Sequence, residues 1–554
     1  MFHKLSIFTL FLISTFSLFA VDISGIIEYE RVNPRHSNAS SRLDFSNISN
    51  KPAKEVLVEA IDSDGAVLSS TFTNTQGFYK FRNLDSNIDI KIRVSAKMQK
   101  KDAWFVKVTD NSNGDSLYVI EGRLENSGFN NSIRNLRASS RLKNSPPFAI
   151  LDSIHQAMKK VHEADKNVEF SLLNISWSIN NIQTGTYYDG TENIVLQGDQ
   201  QGDSDEYDGH IIIHEWGHFF ETKLSRADNI GGRHGNNDSL DIRVAFGEGF
   251  GNALSAIVTD DPIYFDTIGG TGWNMNIETA HHETPGWFSE ASVHRIFYDL
   301  YDKDRDGEDN LALGFKPLYQ VLTNGQKNTP AFTSLFSFIH ELKKENPSVS
   351  SKIDEIVSRE NIATIEDAYG SNRVSNLRED DLPLYANLTL DKTLTNICTT
   401  NYYGLHNKLS DHKYIRFTIN ENKTYPIQVK QSNGNNADPE FKIFKTSPFE
   451  KYSTQESEKV GREEVSIALT KGEYLLDVYN SRSMTKACFN IRIGDKSQIP
   501  ILNENSDDVE NSDNSKSTTQ NVGFALPENK LFLTLIFIVI LLGPLFFIRK
   551  EIKI

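Results

Sequence analysis

The sequence contains only two cysteines in 554 residues, Cys398 and Cys488, and none near residue 20. A dense disulfide framework is thereby excluded, as is a lipid-modified N-terminal cysteine. Positive charge is also in deficit: 58 Lys and Arg against 74 Asp and Glu give a formal net charge of −16. A polyanion would be repelled, which excludes nucleic acid as a partner and disfavours docking of the chain's body on an anionic bilayer. The chain is too long for a single hydrophobic core, so two to four domains are expected.

Strongly apolar runs lie at the two ends. Residues 1–20, MFHKLSIFTLFLISTFSLFA, place one early lysine before an apolar stretch ending at Ala20, the pattern of a secretory signal peptide. An uncleaved anchor stays open, because Leu18 is bulky for a cleavage site. Residues 531–548, LFLTLIFIVILLGPLFFI, are long enough to cross a bilayer's hydrocarbon core. Arg549 and Lys550 then assign residues 549–554 to the cytoplasm. Residues 497–530, rich in Asn, Ser, Asp and Glu, read as a disordered stalk. The expectation is an exported chain, periplasmic or on the cell surface, whose partner at the C-terminal helix is the membrane. An oxidising compartment favours a Cys398–Cys488 disulfide over two buried thiols.

Between the ends, residues 21–140 alternate β-type runs with turn signals, as in EVLVEAIDSDGAVLSSTFTNTQGFYKF, and predict a β-sandwich. After Ser145-Pro146-Pro147 the pattern becomes mixed helix and strand, marking a central domain over 141–376. Residues 377–496 return to strands and predict a second sandwich. TNTQGFYKFRNL resembles carboxypeptidase-regulatory-like or prealbumin-like β-domains. DPEFKIFK and LTKGEYLLDVY resemble the pre-peptidase C-terminal sandwich of secreted bacterial peptidases.

The chemistry concentrates in residues 210–221, HIIIHEWGHFFE. On a helix, His214 and His218 are about 40° apart around the axis and one turn apart along it, so both imidazoles can reach one ion. Glu215 then projects to where a general base would meet water activated by that ion. No proline interrupts 211–224, Asp208 and Gly209 offer an N-terminal cap, and Ile211–Ile213 would bury the helix. A metzincin pattern is excluded, because Glu221 and Leu224 stand where glycine and a third histidine are required. RVAFGEGFGNALSAIV, residues 243–258, instead carries Glu248 inside an apolar helical pattern. A buried carboxylate there needs a partner, and a metal is one. Asn252, one turn on, is placed to hold His214 or His218.

HEWGH followed by GEGFGNA resembles the thermolysin-like gluzincins, particularly the fungalysin type with HEYxH and GEGxxD. LDIRVAFGEGFGNALSA and GWFSEASVHRIFYDLYD are similar to a group of exported bacterial zincin-like proteins. The resemblance covers about residues 145–345. It implies zinc held by His214, His218 and Glu248, Glu215 as general base, and a protein or peptide substrate. Asn252 departs from the aspartate of that pattern. The resemblance also implies that YYDGTENIVLQG is an edge strand pairing with extended substrate.

For stabilising an oxyanion, His294 is the first candidate, Tyr298 the second and His281-His282 the third; a core-packed histidine is the alternative. Glu221 and His234 read as supporting or loop residues rather than ligands. Asp302, Asp304 and Asp306 match the start of an EF-hand loop, but Leu313 stands at its twelfth position. A looser calcium site with Glu308 or Asp309 and a solvated acidic turn both remain open, and GDQQGDSDEYDG is a further calcium candidate. The fold class expected is multidomain α+β, a thermolysin-like zincin core between two β-sandwiches. The function expected is zinc metalloendopeptidase activity, with a surface adhesion or scaffold protein as the rival.

Overall fold

The strand Ala20–Ser37 buries Val21, Ile23, Ile27 and Tyr29 on one face, the period of two expected of a half-buried strand. It pairs antiparallel with Ser40–Pro52 and with Phe78–Asp85. The computed structural model describes residues 20–494, except 183–184, 236, 270, 280–282, 304–309, 372–381, 404–406, 435 and 483–485. Residues 1–19 of the expected signal peptide, the stalk, the 531–548 run and the tail therefore lie outside the described residues, as do His281, His282, Asp304, Asp306, Glu308 and Asp309. The expected membrane anchor is corrected: no helix among the described residues is long and apolar enough to cross a membrane.

A second sheet is ordered Val67–Phe72, Val56–Ile61, Asp89–Lys100, Trp104–Asp110, Leu173–Trp177, Asn193–Leu196 and Tyr187–Tyr188. Leu173–Trp177 pairs parallel with Trp104–Asp110, so this sheet runs across residue 140 without a break. A parallel pair needs a crossover, and helix α1, Pro146–Ala164, lies in the connection. The prolines sit in its first turn, where no N–H is required. Ile150, Ile154, Ala157 and Val161 form its buried stripe.

Six further α-helices are described: α2, Gly209–Lys223; α3, Ile242–Thr259; α4, Glu290–Tyr301; α5, Phe315–Val321; α6, Leu335–Glu345; and α7, Ser350–Arg359. Asp208 precedes α2 but does not cap it; its Oδ2 accepts from the Thr267 amide and hydroxyl instead. Helix α3 is buried on every side from Ile242 to Ile257. A hairpin, Ile263–Ile268 with Thr271–Asn276, follows it.

The C-terminal strands form two sheets with their own core, which includes Ile415, Ile427, Phe441 and Phe489. Cys398 and Cys488 face each other on neighbouring strands of one sheet and are bonded. The other sheet is tied to α3: Arg243 donates to Asp477 at 2.8 Å and to Asp241 at 2.9 Å, with all three side chains nearly fully buried. The whole is a mixed α+β, β-rich multidomain chain.

Candidate metal centre and active-site cavity

Helix α2 presents His214 and His218 one turn apart, with ring centroids 4.9 Å from each other. Helix α3 brings Glu248 to them: its Oε2 lies 3.2 Å from His214 Nε2 and 3.4 Å from His218 Nε2. The two helices approach this closely because Gly251 has no side chain, where a Cβ would lie 2.9 Å from His214 Nδ1. One donor atom from each of the three residues falls within 4.8 Å of the others. Zinc bonded at about 2.0–2.2 Å sets tetrahedral ligand atoms roughly 3.3–3.6 Å apart, so these residues fit that ion in type and spacing. Burial alone would raise the Glu248 carboxyl. The His218 imidazole and the close contacts of His214, His218 and His234 outweigh it and hold the group well below the usual carboxylate range.

The supporting contacts extend one layer out. Asn252 Oδ1 lies 2.8 Å from His214 Nδ1, and Asn229 donates to Glu248 Oε1 at 2.8 Å. Glu221, almost completely buried, is 3.5 Å from His218 Nδ1. Glu215 accepts from the backbone N–H of Tyr188 at 2.8 Å, which anchors it to the edge strand Tyr187–Tyr188. Burial pushes its carboxyl up, against the imidazoles of His214 and His218.

A cavity of about 360 Å³ opens onto these groups, with Glu215, His234, Tyr264 and Trp273 among its lining residues. A second depression, about 370 Å³, shares Glu215, His234 and Glu248 and adds His218 and Tyr188. His294 and Tyr298 are not among the residues lining either; both are buried in α4, at 1% and 5% exposure. Besides the candidate ligands, the imidazole that lines both, among the described residues, is His234. Its Nε2 is 3.2 Å from Glu248 Oε2 and its Nδ1 is 2.9 Å from Glu290 Oε2. Sequence reasoning missed Glu290 and gave His234 a minor place. The available signal was a single acidic residue directly after Ser289, opening an amphipathic helix.

Asp203 and Asp205, from the acidic stretch before α2, converge with Asp266 of the hairpin on the cavity's other wall. One oxygen each of Asp203 and Asp266 is buried without a hydrogen-bond partner. Asp302 ends α4 and is buried.

Residues 156–348 match the mycolysin C-terminal domain family, a span that holds every residue of the candidate metal centre. This is a protease-associated context. No significant match is found among curated proteins. Among solved structures, the pre-peptidase C-terminal domain of a Bacillus anthracis collagenase is 13% identical, covers 20% of this chain and 93% of its own, and has a TM-score of 0.17. A periplasmic inhibitor of g-type lysozyme from Aeromonas hydrophila, PliG, is 14% identical over 20% of this chain and 95% of its own, with a TM-score of 0.14. Similarities at that level carry no argument here.

Proposed function

We propose that the chain is a zinc metallopeptidase of the thermolysin-like, gluzincin kind. The observation that carries this reading is the meeting of His214 Nε2, His218 Nε2 and Glu248 Oε2 beside Glu215, where two cavities adjoin. Zinc held by the three residues would supply Lewis acidity toward water and a peptide carbonyl. Glu215, fixed by the Tyr188 amide and raised by burial, is suited to take the proton of the attacking water and return it to the leaving amine. His234, held at Nδ1 by Glu290, lines the same cavity, and its Nε2, 3.2 Å from Glu248 Oε2 here, would become a donor toward the oxygen on which charge develops if zinc took up that carboxylate oxygen. The Cys398–Cys488 disulfide supports a location outside the cytoplasm.

The test is zinc stoichiometry together with cleavage of a peptide library by wild type and Glu215→Gln. One zinc per chain is expected in both forms, with turnover reduced at least about 100-fold in the variant. Less than one tightly bound zinc in the wild type, or equal cleavage by both forms, overturns the reading.

A further inference from the structure

Five side chains that all line the cavity close a ring of polar contacts through the candidate metal centre. His214 Nδ1 meets Asn252 Oδ1 at 2.8 Å, and Asn252 Nδ2 donates to Glu290 Oε1 at 2.7 Å. Glu290 Oε2 meets His234 Nδ1 at 2.9 Å, and His234 Nε2 lies 3.2 Å from Glu248 Oε2. That same oxygen is 3.2 Å from His214 Nε2, which completes the circuit. Glu290 touches none of the three candidate ligands. It nevertheless holds both the residue behind His214 and the imidazole beside Glu248.

We propose that Glu290 is a positioning residue with two outputs: through Asn252 it orients and activates His214 for the metal, and directly it aims His234 into the cavity. Only the second output rests on the peptidase reading. A carboxylate only accepts hydrogen bonds, so the Asn252 amide nitrogen must face Glu290 and its oxygen is left for His214. His214 must then donate from Nδ1, which leaves the Nε2 lone pair free for an ion. Asn252 alone would be a neutral acceptor. Donating its amide N–H to a carboxylate polarises its carbonyl, and the charge of Glu290 thereby acts on His214 one side chain removed.

Burial keeps both links effective, since Glu290 and Asn252 are 4% and 3% exposed and little solvent screens them. The position of Glu290 is fixed as well. It opens α4, where the helix dipole favours negative charge. Helix α4 seats directly on α3 at Gly249, where a Cβ would come within 2.5 Å of Val293 Cβ and 2.8 Å of the Glu290 carbonyl.

The experiment measures zinc dissociation constants by chelator competition, and kcat and KM on a cleaved peptide at saturating zinc. For E290Q, zinc affinity falls roughly 10–100-fold and kcat falls by a similar factor, while KM holds. H234Q loses kcat and loses less zinc affinity than E290Q, because it removes one contact to Glu248 Oε2 but leaves the Glu290–Asn252–His214 link in place. N252D/E290Q places a carboxylate directly against His214, so its zinc affinity returns to within about threefold of wild type while kcat stays low. Unchanged zinc affinity in E290Q, or a double variant that binds zinc no better than E290Q, overturns the Asn252 link. A double variant that recovers kcat along with zinc, or H234Q that loses zinc as E290Q does, overturns the separate His234 output. Should E290Q fail to fold, by circular dichroism at the assay temperature, the other two are judged against wild type: a double variant more than about tenfold weaker for zinc overturns the Asn252 link, and one that keeps wild-type kcat, or an H234Q that does, overturns the His234 output. A wild type that binds zinc but cleaves no peptide sinks the peptidase reading and the His234 output, and leaves the zinc measurements to judge the first output alone.

Discussion

Replacing Asp266 by Asn should make the protein more stable at neutral pH and leave it unchanged in acid. Burial, then the neighbouring Asp203 carboxylate, push the Asp266 carboxyl up to about 7, against an opposing contact with Trp273. The folded chain therefore keeps this proton up to about pH 7, while an unfolded aspartate releases it near pH 3.9. Between those values the folded state binds more protons, so stability is highest below about pH 4 and declines as pH rises toward 7. Ionising Asp266 in the folded chain costs up to about 4 kcal/mol. Asp203, also raised by burial, shares the charge within the cluster, so about 2 kcal/mol is removable at Asp266 alone. The Asn amide can in addition donate toward the unpartnered oxygen of Asp203. The assay is thermal unfolding of both forms from pH 4 to 8, with Tm expected to be higher by roughly a few degrees in D266N at pH 8 and equal at pH 4. A lower Tm in the variant at pH 8, or a difference constant across the range, refutes the reasoning.

Other consequences can be measured directly. G251A puts a methyl 2.9 Å from His214 Nδ1 and should weaken zinc binding at least about 10-fold in chelator competition. D477A leaves Arg243 buried with Asp241 as its remaining carboxylate; stability should fall by about 3–5 kcal/mol in denaturant unfolding, and less for D477N. C398S/C488S opens a link spanning 90 residues and should lower the stability of the C-terminal sandwich by up to about 4 kcal/mol, with zinc affinity unchanged.

The parts legible in the sequence were those set by local periodicity. His214, Glu215 and His218 follow from one helix's geometry, and Glu248 from a lone acid in an apolar helix. His234 and Glu290 were not legible, because one sits in a Gly-rich loop and the other at the start of a helix 42 residues beyond Glu248. His294 lies one turn past Glu290 on the same helix, about 6 Å deeper along its axis, and is enclosed by the core. The Pro146-Pro147 pair marks a change of pattern in the sequence, and in the structure it begins a crossover helix. The parallel pairing of Leu173–Trp177 with Trp104–Asp110 is non-local and leaves no periodic trace.

That pairing changes how the flanking β-structure should be understood. Two-stranded hairpins are marginal alone in water, yet Ile263–Ile268 with Thr271–Asn276 supplies Tyr264, Asp266 and Trp273 to the cavity wall. Its outer side is braced from the N-terminal strands. The Asn274 amide donates to the Ala39 carbonyl at 3.1 Å, and its side chain donates to Ser41 Oγ at 2.9 Å. Gly272 packs so closely there that a Cβ would lie 2.3 Å from the Ser41 carbonyl. From the opposite end, Asp477 holds Arg243, five residues before Glu248 on α3. One flank thus fixes a wall of the cavity and the other fixes the helix that carries the third candidate ligand. Both flanks touch elements that carry the candidate centre, the C-terminal one while keeping its own core. The N-terminal and C-terminal β-structures therefore bear on the geometry of the centre itself, a role that adhesion alone would not require.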